Sequence, residues 1–173
     1  MDIITVNPGA SNFTVILRSG GGFLAPVSYP GGVGNNSLTV VDLNNDGFGD
    51  VAVTSPQTNS VLVFLNTGTG VLGLPRSYSV GRNPSRVVAG DLDGRGGPDL
   101  AVSNADESTV TILMNDGSGQ FSSPIVASSD IFEGSRTNEI NQISFGDGTI
   151  DVNDLFVTFR RSLDTSLSWY RRF

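Results

Sequence analysis

Asp42-Leu43-Asn44-Asn45-Asp46-Gly47-Phe48-Gly49-Asp50-Val51-Ala52-Val53 sets acidic and amide side chains on alternate residues of a glycine-bearing loop, then turns into a β-branched run. Asp91-Leu92-Asp93-Gly94-Arg95-Gly96-Gly97-Pro98-Asp99-Leu100-Ala101-Val102 repeats the plan, and Asp2-Ile3-Ile4-Thr5 matches its last four positions. Further along, Arg18-Ser19-Gly20-Gly21-Gly22-Phe23, Asn66-Thr67-Gly68-Thr69-Gly70-Val71 and Asn115-Asp116-Gly117-Ser118-Gly119-Gln120-Phe121 hold one place in three successive units. A period of about fifty residues marks an array of similar structural units.

Within a unit the pattern predicts four short strands. In the last one they are Val87–Gly90, Leu100–Ser103, Thr109–Met114 and Phe121–Ala127, with Asn115-Asp116-Gly117 as the turn before the fourth. Four antiparallel strands with regularly spaced turns describe a propeller blade. The expected fold is therefore all-β: antiparallel four-stranded β-propeller-type blades over residues 1–127, with complete units at about 37–80 and 84–127. A partial unit precedes them and opens at its second strand, giving about two and three-quarter repeats. Propellers close with ~4–8 blades, so these units do not close a ring by themselves.

The loops carry the chemistry. Asp42, Asn44, Asp46 and Asp50 offer oxygens on alternate residues, Gly47 lets the chain turn, and the Phe48 carbonyl is a further donor. Ca²⁺ takes six to eight hard oxygens, whereas Mg²⁺ keeps more water and fewer protein ligands. A solvated Asx-rich turn between two strands is the plainer alternative. Asp91, Asp93 and Asp99 form the second candidate set, but Arg95 stands where the first loop has Asp46. A guanidinium cannot ligate a cation and is able to neutralise neighbouring carboxylates, so the first loop is expected to be the stronger site.

The two stretches VVDLNNDGFGDVAV and VAGDLDGRGGPDLAV resemble FG-GAP/VCBS repeats, found in integrin-α-type propellers and many bacterial extracellular proteins. The resemblance spans about residues 2–127. It implies a propeller-like blade and calcium at Asp42, Asn44, Asp46 and Asp50, but no particular ligand.

The remainder changes character. Residues 128–141 are polar and without period, and are expected to be a linker. In 142–173, Gly146-Asp147-Gly148-Thr149-Ile150-Asp151-Val152-Asn153-Asp154 leads into an apolar stripe of helical spacing at Leu155, Phe156, Phe159 and Leu163. This loop-helix segment resembles half of a dockerin, with Asp147, Asp151 and Asp154 as candidate calcium ligands. Ile143 and Phe145 depart from the dockerin pattern, and a capped helix is the alternative. Trp169, Tyr170 and Phe173 suit burial or docking.

The chain of 173 residues has neither Cys nor His, which removes disulfides, thiol and imidazole chemistry and the usual zinc sites. Its net charge of −7 argues against nucleic acid as a partner. Only Glu107, Glu133 and Glu139 are glutamates, and the clustered aspartates are absorbed by loops, so a paired-carboxylate enzyme is not expected. No nucleophile elbow, phosphate loop or dinucleotide fingerprint occurs. Met1 to Thr5 lacks the basic and long apolar regions of a signal peptide, as a mature chain or an internal segment would, and no aliphatic run is long enough to span a bilayer. Asn12 and Asn35 lie in glycosylation sequons and are expected on exposed loops.

Three functions are consistent with these features. The leading one is a non-catalytic, calcium-binding, secreted or cell-surface scaffold for adhesion, recognising an extracellular protein or glycan. A second is a structural subunit assembling head-to-tail into a filament or ring, through the strand edge of Ile3, Ile4 and Val6 and the aromatic end of the chain. The third is a non-catalytic appendage of a larger secreted enzyme.

Overall fold

The computed structural model describes residues 2–128, which form three consecutive antiparallel units. In unit 1, β1 (Ile3–Asn7) and β2 (Asn12–Ile16) are followed by a small hairpin of β3 (Arg18–Ser19) and β4 (Gly22–Phe23), then by β5 (Val27–Pro30). Unit 2 consists of β6 (Leu38–Val41), β7 (Asp50–Ser55), β8 (Ser60–Phe64) and β9 (Arg76–Ser79). Unit 3 consists of β10 (Pro84–Gly90), β11 (Asp99–Asn104), β12 (Thr109–Leu113) and β13 (Ile125–Ser128). The sheet orders are β1-β2-β5, β6-β7-β8-β9 and β10-β11-β12-β13, so units 2 and 3 are the four-stranded meanders of propeller blades. Among the described residues there is no α-helix. The expected loop-helix of 142–173, with Asp147, Asp151, Asp154, Trp169, Tyr170 and Phe173, lies outside them, as do residues 129–141 of the expected linker.

Side-chain alternation builds the cores. On β7, Val51 and Val53 join Phe13, Val15, Phe64 and Leu72 between units 1 and 2. Ala52, from the same strand, joins Val61, Val63, Val87, Leu100, Val102 and Leu113 between units 2 and 3. Period-2 alternation puts successive residues on opposite faces of a sheet. Both faces of unit 2 are covered, which is why every residue of β7 is buried. A third cluster of Ala101, Val110, Ile112 and Ala127 lies on the other face of unit 3.

The fourth strand of one unit also reaches the next. Tyr29 of β5 stacks with Phe13, meets Phe64 edge-on and accepts the Leu72 backbone N–H at 3.2 Å. Tyr78 of β9 likewise meets Phe121 edge-on and donates to the Gly119 carbonyl at 3.4 Å.

The turn expected at Asn115-Asp116-Gly117 is a wider loop, closed by a bridge between Asn115 and Phe121. The Asn115 side-chain oxygen Oδ1 accepts the N–H groups of Gly117 (2.9 Å) and Gly119 (3.2 Å), so the chain wraps around that side chain. Positive φ at both glycines, 91° and 72°, permits the curl. As a result, β13 starts at Ile125 rather than at Phe121.

Phe13 is fully buried where units 1 and 2 meet, whereas Leu74 is 94% exposed. Phe13→Ala is expected to cost about 3–5 kcal/mol in urea denaturation, and Leu74→Ala within about 0.5 kcal/mol. Comparable losses at the two positions would contradict the packing described.

Candidate functional site: the acidic loops

Each acidic loop links the first strand of a unit to the second. Loop 42–50 ends at Asp50, fully buried at the start of β7. One Asp50 carboxylate oxygen accepts the Leu43 N–H at 2.9 Å and the other the Asn66 N–H at 2.7 Å. Asp99 does the same in unit 3, accepting from Leu92 and Asn115, each at 2.8 Å. These residues, expected as metal ligands, thus brace the acidic loop to the glycine-rich turn beyond the third strand.

Burial pushes the Asp50 carboxyl above its ordinary range, against the two backbone donors, which pull it down; Asp46 and Asp42 add repulsion. Asp99 is raised in the same way, by burial first and by Asp93 and Asp91 last. A carboxyl whose pKa is higher folded than unfolded costs stability as the pH rises from the unfolded to the folded value. A cation among the carboxylates offsets that cost.

The remaining ligand candidates differ between the loops. In loop 42–50, Asp42 accepts the N–H groups of Asp46 (3.1 Å) and Gly47 (2.7 Å), one on each oxygen. Asp46 accepts from Phe48 N–H on one oxygen and from the Asn44 amide on the other, each at 2.9 Å. Every carboxylate oxygen of Asp42, Asp46 and Asp50 already carries a protein donor. Phe48 is half-exposed, with its ring beside Gly68.

In loop 91–99, Asp91 accepts the Gly94 N–H at 2.7 Å and Asp93 the Arg95 N–H at 2.8 Å, each on one oxygen. Carboxylate oxygens of Asp91, Asp93 and Asp99 lie within 4.8 Å of one another. The loop that gathers three carboxylates is thus the second, not the one favoured by its sequence. The sequence comparison counted donors without seeing that Asn44 and the backbone of 46–48 engage the carboxylates of the first. The expected neutralisation by Arg95 is also not seen: its side chain is exposed and, among the described residues, makes no ion pair. A set of three hard carboxylates fits Ca²⁺, which takes oxygen donors and would supply the charge that relieves their repulsion.

Two amide residues that the sequence reading did not single out join the loops across units. Asn45, at φ 59°, donates to the Gly96 carbonyl at 3.1 Å and the Gly117 carbonyl at 3.2 Å. Asn115 donates to Leu43 O at 2.8 Å and Pro98 O at 2.9 Å. The available signal was the recurrence of Asn before Gly-x-Gly at Asn66 and Asn115.

The other candidates are placed as follows. Ile4 and Val6 pack on the Phe13 cluster, and Ile3 is half-exposed. Asn12 begins β2, partly buried, and accepts from the Asn7 amide at 2.8 Å. Asn35, expected on an exposed loop, is fully buried and donates to Asn12 O at 2.8 Å, because it ties the entry of unit 2 to unit 1. A glycan has no access to it in the folded chain.

Blades of this topology, with an aspartate-rich loop between their first two strands, define a β-repeat of propeller type. Residues 42–102 match the family model described as FG-GAP-like repeat, so the loop pair and the strands between them are an FG-GAP-like repeat. Among solved structures, the Tc holotoxin pore of Photorhabdus luminescens is similar to 86% of this chain at 21% identity, with a TM-score of 0.46. The chain spans 7% of the length of that toxin chain. The comparison with curated proteins finds no match.

Measured in excess chelator, Asp50→Ala and Asp99→Ala are each expected to destabilise the fold by about 2–4 kcal/mol, because each strands two backbone N–H groups. Asp93→Ala should stay within about 1 kcal/mol under those conditions. Equal effects at all three positions would show that the buried aspartates are not braces.

Proposed function

We propose that residues 2–128 act as a non-catalytic, calcium-stabilised repeat scaffold outside the cell, whose loops recognise a protein or a glycan. The observation that carries the calcium reading is the convergence of Asp91, Asp93 and Asp99 within 4.8 Å, at a place that recurs in the preceding unit. FG-GAP-like repeats are typically non-catalytic, which supports a binding role for the matched segment. Recognition is supported by the exposed ring of Phe48, which stands in the acidic loop between Asp46 and Asp50.

Calcium binding to the folded state alone adds stability by mass action, about 2.7 kcal/mol at a hundredfold excess over the dissociation constant. The full chain is therefore expected to melt higher in calcium than in chelator. The double variant Asp91→Asn, Asp93→Asn should abolish most of that difference while shifting the chelator value little. Calorimetry with CaCl₂ should show heat for the parent chain and a reduced signal for the variant. Identical melting in calcium and chelator would refute the calcium reading.

A further inference from the structure

The loop that gathers three carboxylates does so with little help from its own side chains. In loop 42–50, Asp42 and Asp46 are engaged by loop donors on both oxygens, whereas Asp91 and Asp93 each take a backbone N–H on one. Between Asp93 and Asp99 the chain runs through Gly96 and Gly97, both at positive φ, 68° and 108°. Glycine has the widest choice of backbone conformations, so ordering this stretch costs more than ordering most others. The Gly97 N–H bonds Arg95 O at 2.8 Å, a turn too local to set where the stretch lies against the rest of unit 3.

That placement comes from the neighbouring unit. Asn45 of unit 2 donates to Gly96 O at 3.1 Å and to Gly117 O at 3.2 Å, so one amide group ties the middle of the acidic loop to the glycine-rich turn of unit 3. A Cβ on Gly97 would lie 3.2 Å from Asn45 Oδ1, and one on Gly96 would strike Asn115 O. The Gly96–Gly97 stretch is thus clamped between a side chain of unit 2 and a turn of its own unit. Asn115 extends the clamp: its amide bonds Pro98 O and Leu43 O of unit 2, and its backbone N–H bonds Asp99. Asn45 itself stands at φ 59°, a left-handed conformation that asparagine tolerates better than most residues.

We propose that Asn45 is a positioning residue for the cation loop of the following unit. Its bonds to Gly96 and Gly117 hold the loop in the arrangement in which Asp91, Asp93 and Asp99 converge, so calcium binding at 91–99 and the docking of unit 3 on unit 2 are coupled. The proposal rests on the calcium reading of loop 91–99. Coupling of this kind is reciprocal: a contact that favours the ion is itself favoured by the ion, by the same factor.

The test measures calcium affinity of the full chain by calorimetry, at a temperature where circular dichroism shows parent and variants folded. Asn45→Gly removes the amide and suits the positive φ, so the backbone is not strained. It should weaken calcium binding about three- to tenfold, the scale of a neutral hydrogen bond. The fall in melting temperature caused by Asn45→Gly should also be larger in calcium than in chelator, whereas a purely structural bond costs the same in both. Tyr78→Phe removes a different bond between the units, to Gly119 O, and should leave calcium affinity within about twofold. In the Asp91→Asn, Asp93→Asn background, Asn45→Gly should not alter any calcium binding that remains. Unchanged affinity in Asn45→Gly, equal melting losses in the two conditions, an equal loss of affinity in Tyr78→Phe, or an effect that persists in the double variant each overturns the coupling, while calcium binding by the parent chain still stands. A parent chain that binds no calcium overturns both.

Discussion

A buried carboxylate with a backbone N–H on each oxygen is the constraint on which the units depend. Asp50 and Asp99 sit at the first residue of the second strand, where one side chain can reach both the acidic loop and the glycine-rich turn after the third strand. A neutral side chain could not accept two such bonds with equal strength, since bonds to an ionised acceptor are roughly twice as strong as neutral ones. Ionisation is opposed by burial and by the nearby acidic residues of the same loop, so the brace is under electrostatic load. That structural role accounts for aspartate at this position in units 2 and 3.

The acidic loops connect units as well as strands. Asn45 and Asn115 form reciprocal bonds between the loop of unit 2 and the two loops of unit 3, all to backbone carbonyls. Such bonds depend on the path of the chain rather than on the side chains of the neighbour. That tolerance allows the two acidic loops to differ, with Arg95 in one and Asp46 in the other, while their docking is kept.

The all-β architecture was legible because two periods agree: the unit of about fifty residues and the strand alternation within it. Leu100 to Ser103 read as the strand that follows the acidic loop, and they lie within β11. The acidic loops were legible as a set of donors but not as a geometry. Nothing in the order of residues shows that Asn44 bonds Asp46, or that Asp91 and Asp93 each keep an oxygen clear of the backbone. The burial of Asn35 was hidden for a similar reason: its partner, Asn12 O, belongs to another unit. Local chemistry is written in the sequence, whereas contacts between units emerge only once the strands are stacked.

The placement of valines on β7 and β8 has a consequence for how the array fails. Val51 and Val53 belong to one core, and Val61 and Val63 to the next. Unit 2 therefore has no interior of its own; it exists as the wall between two neighbours. In stacked repeats, stability is a sum of intrinsic and nearest-neighbour terms. With the intrinsic term this small, opening either flank strips apolar surface from the middle, and fraying becomes collective. A chain built this way resists trimming one unit at a time, and a lesion at either boundary is felt at the other.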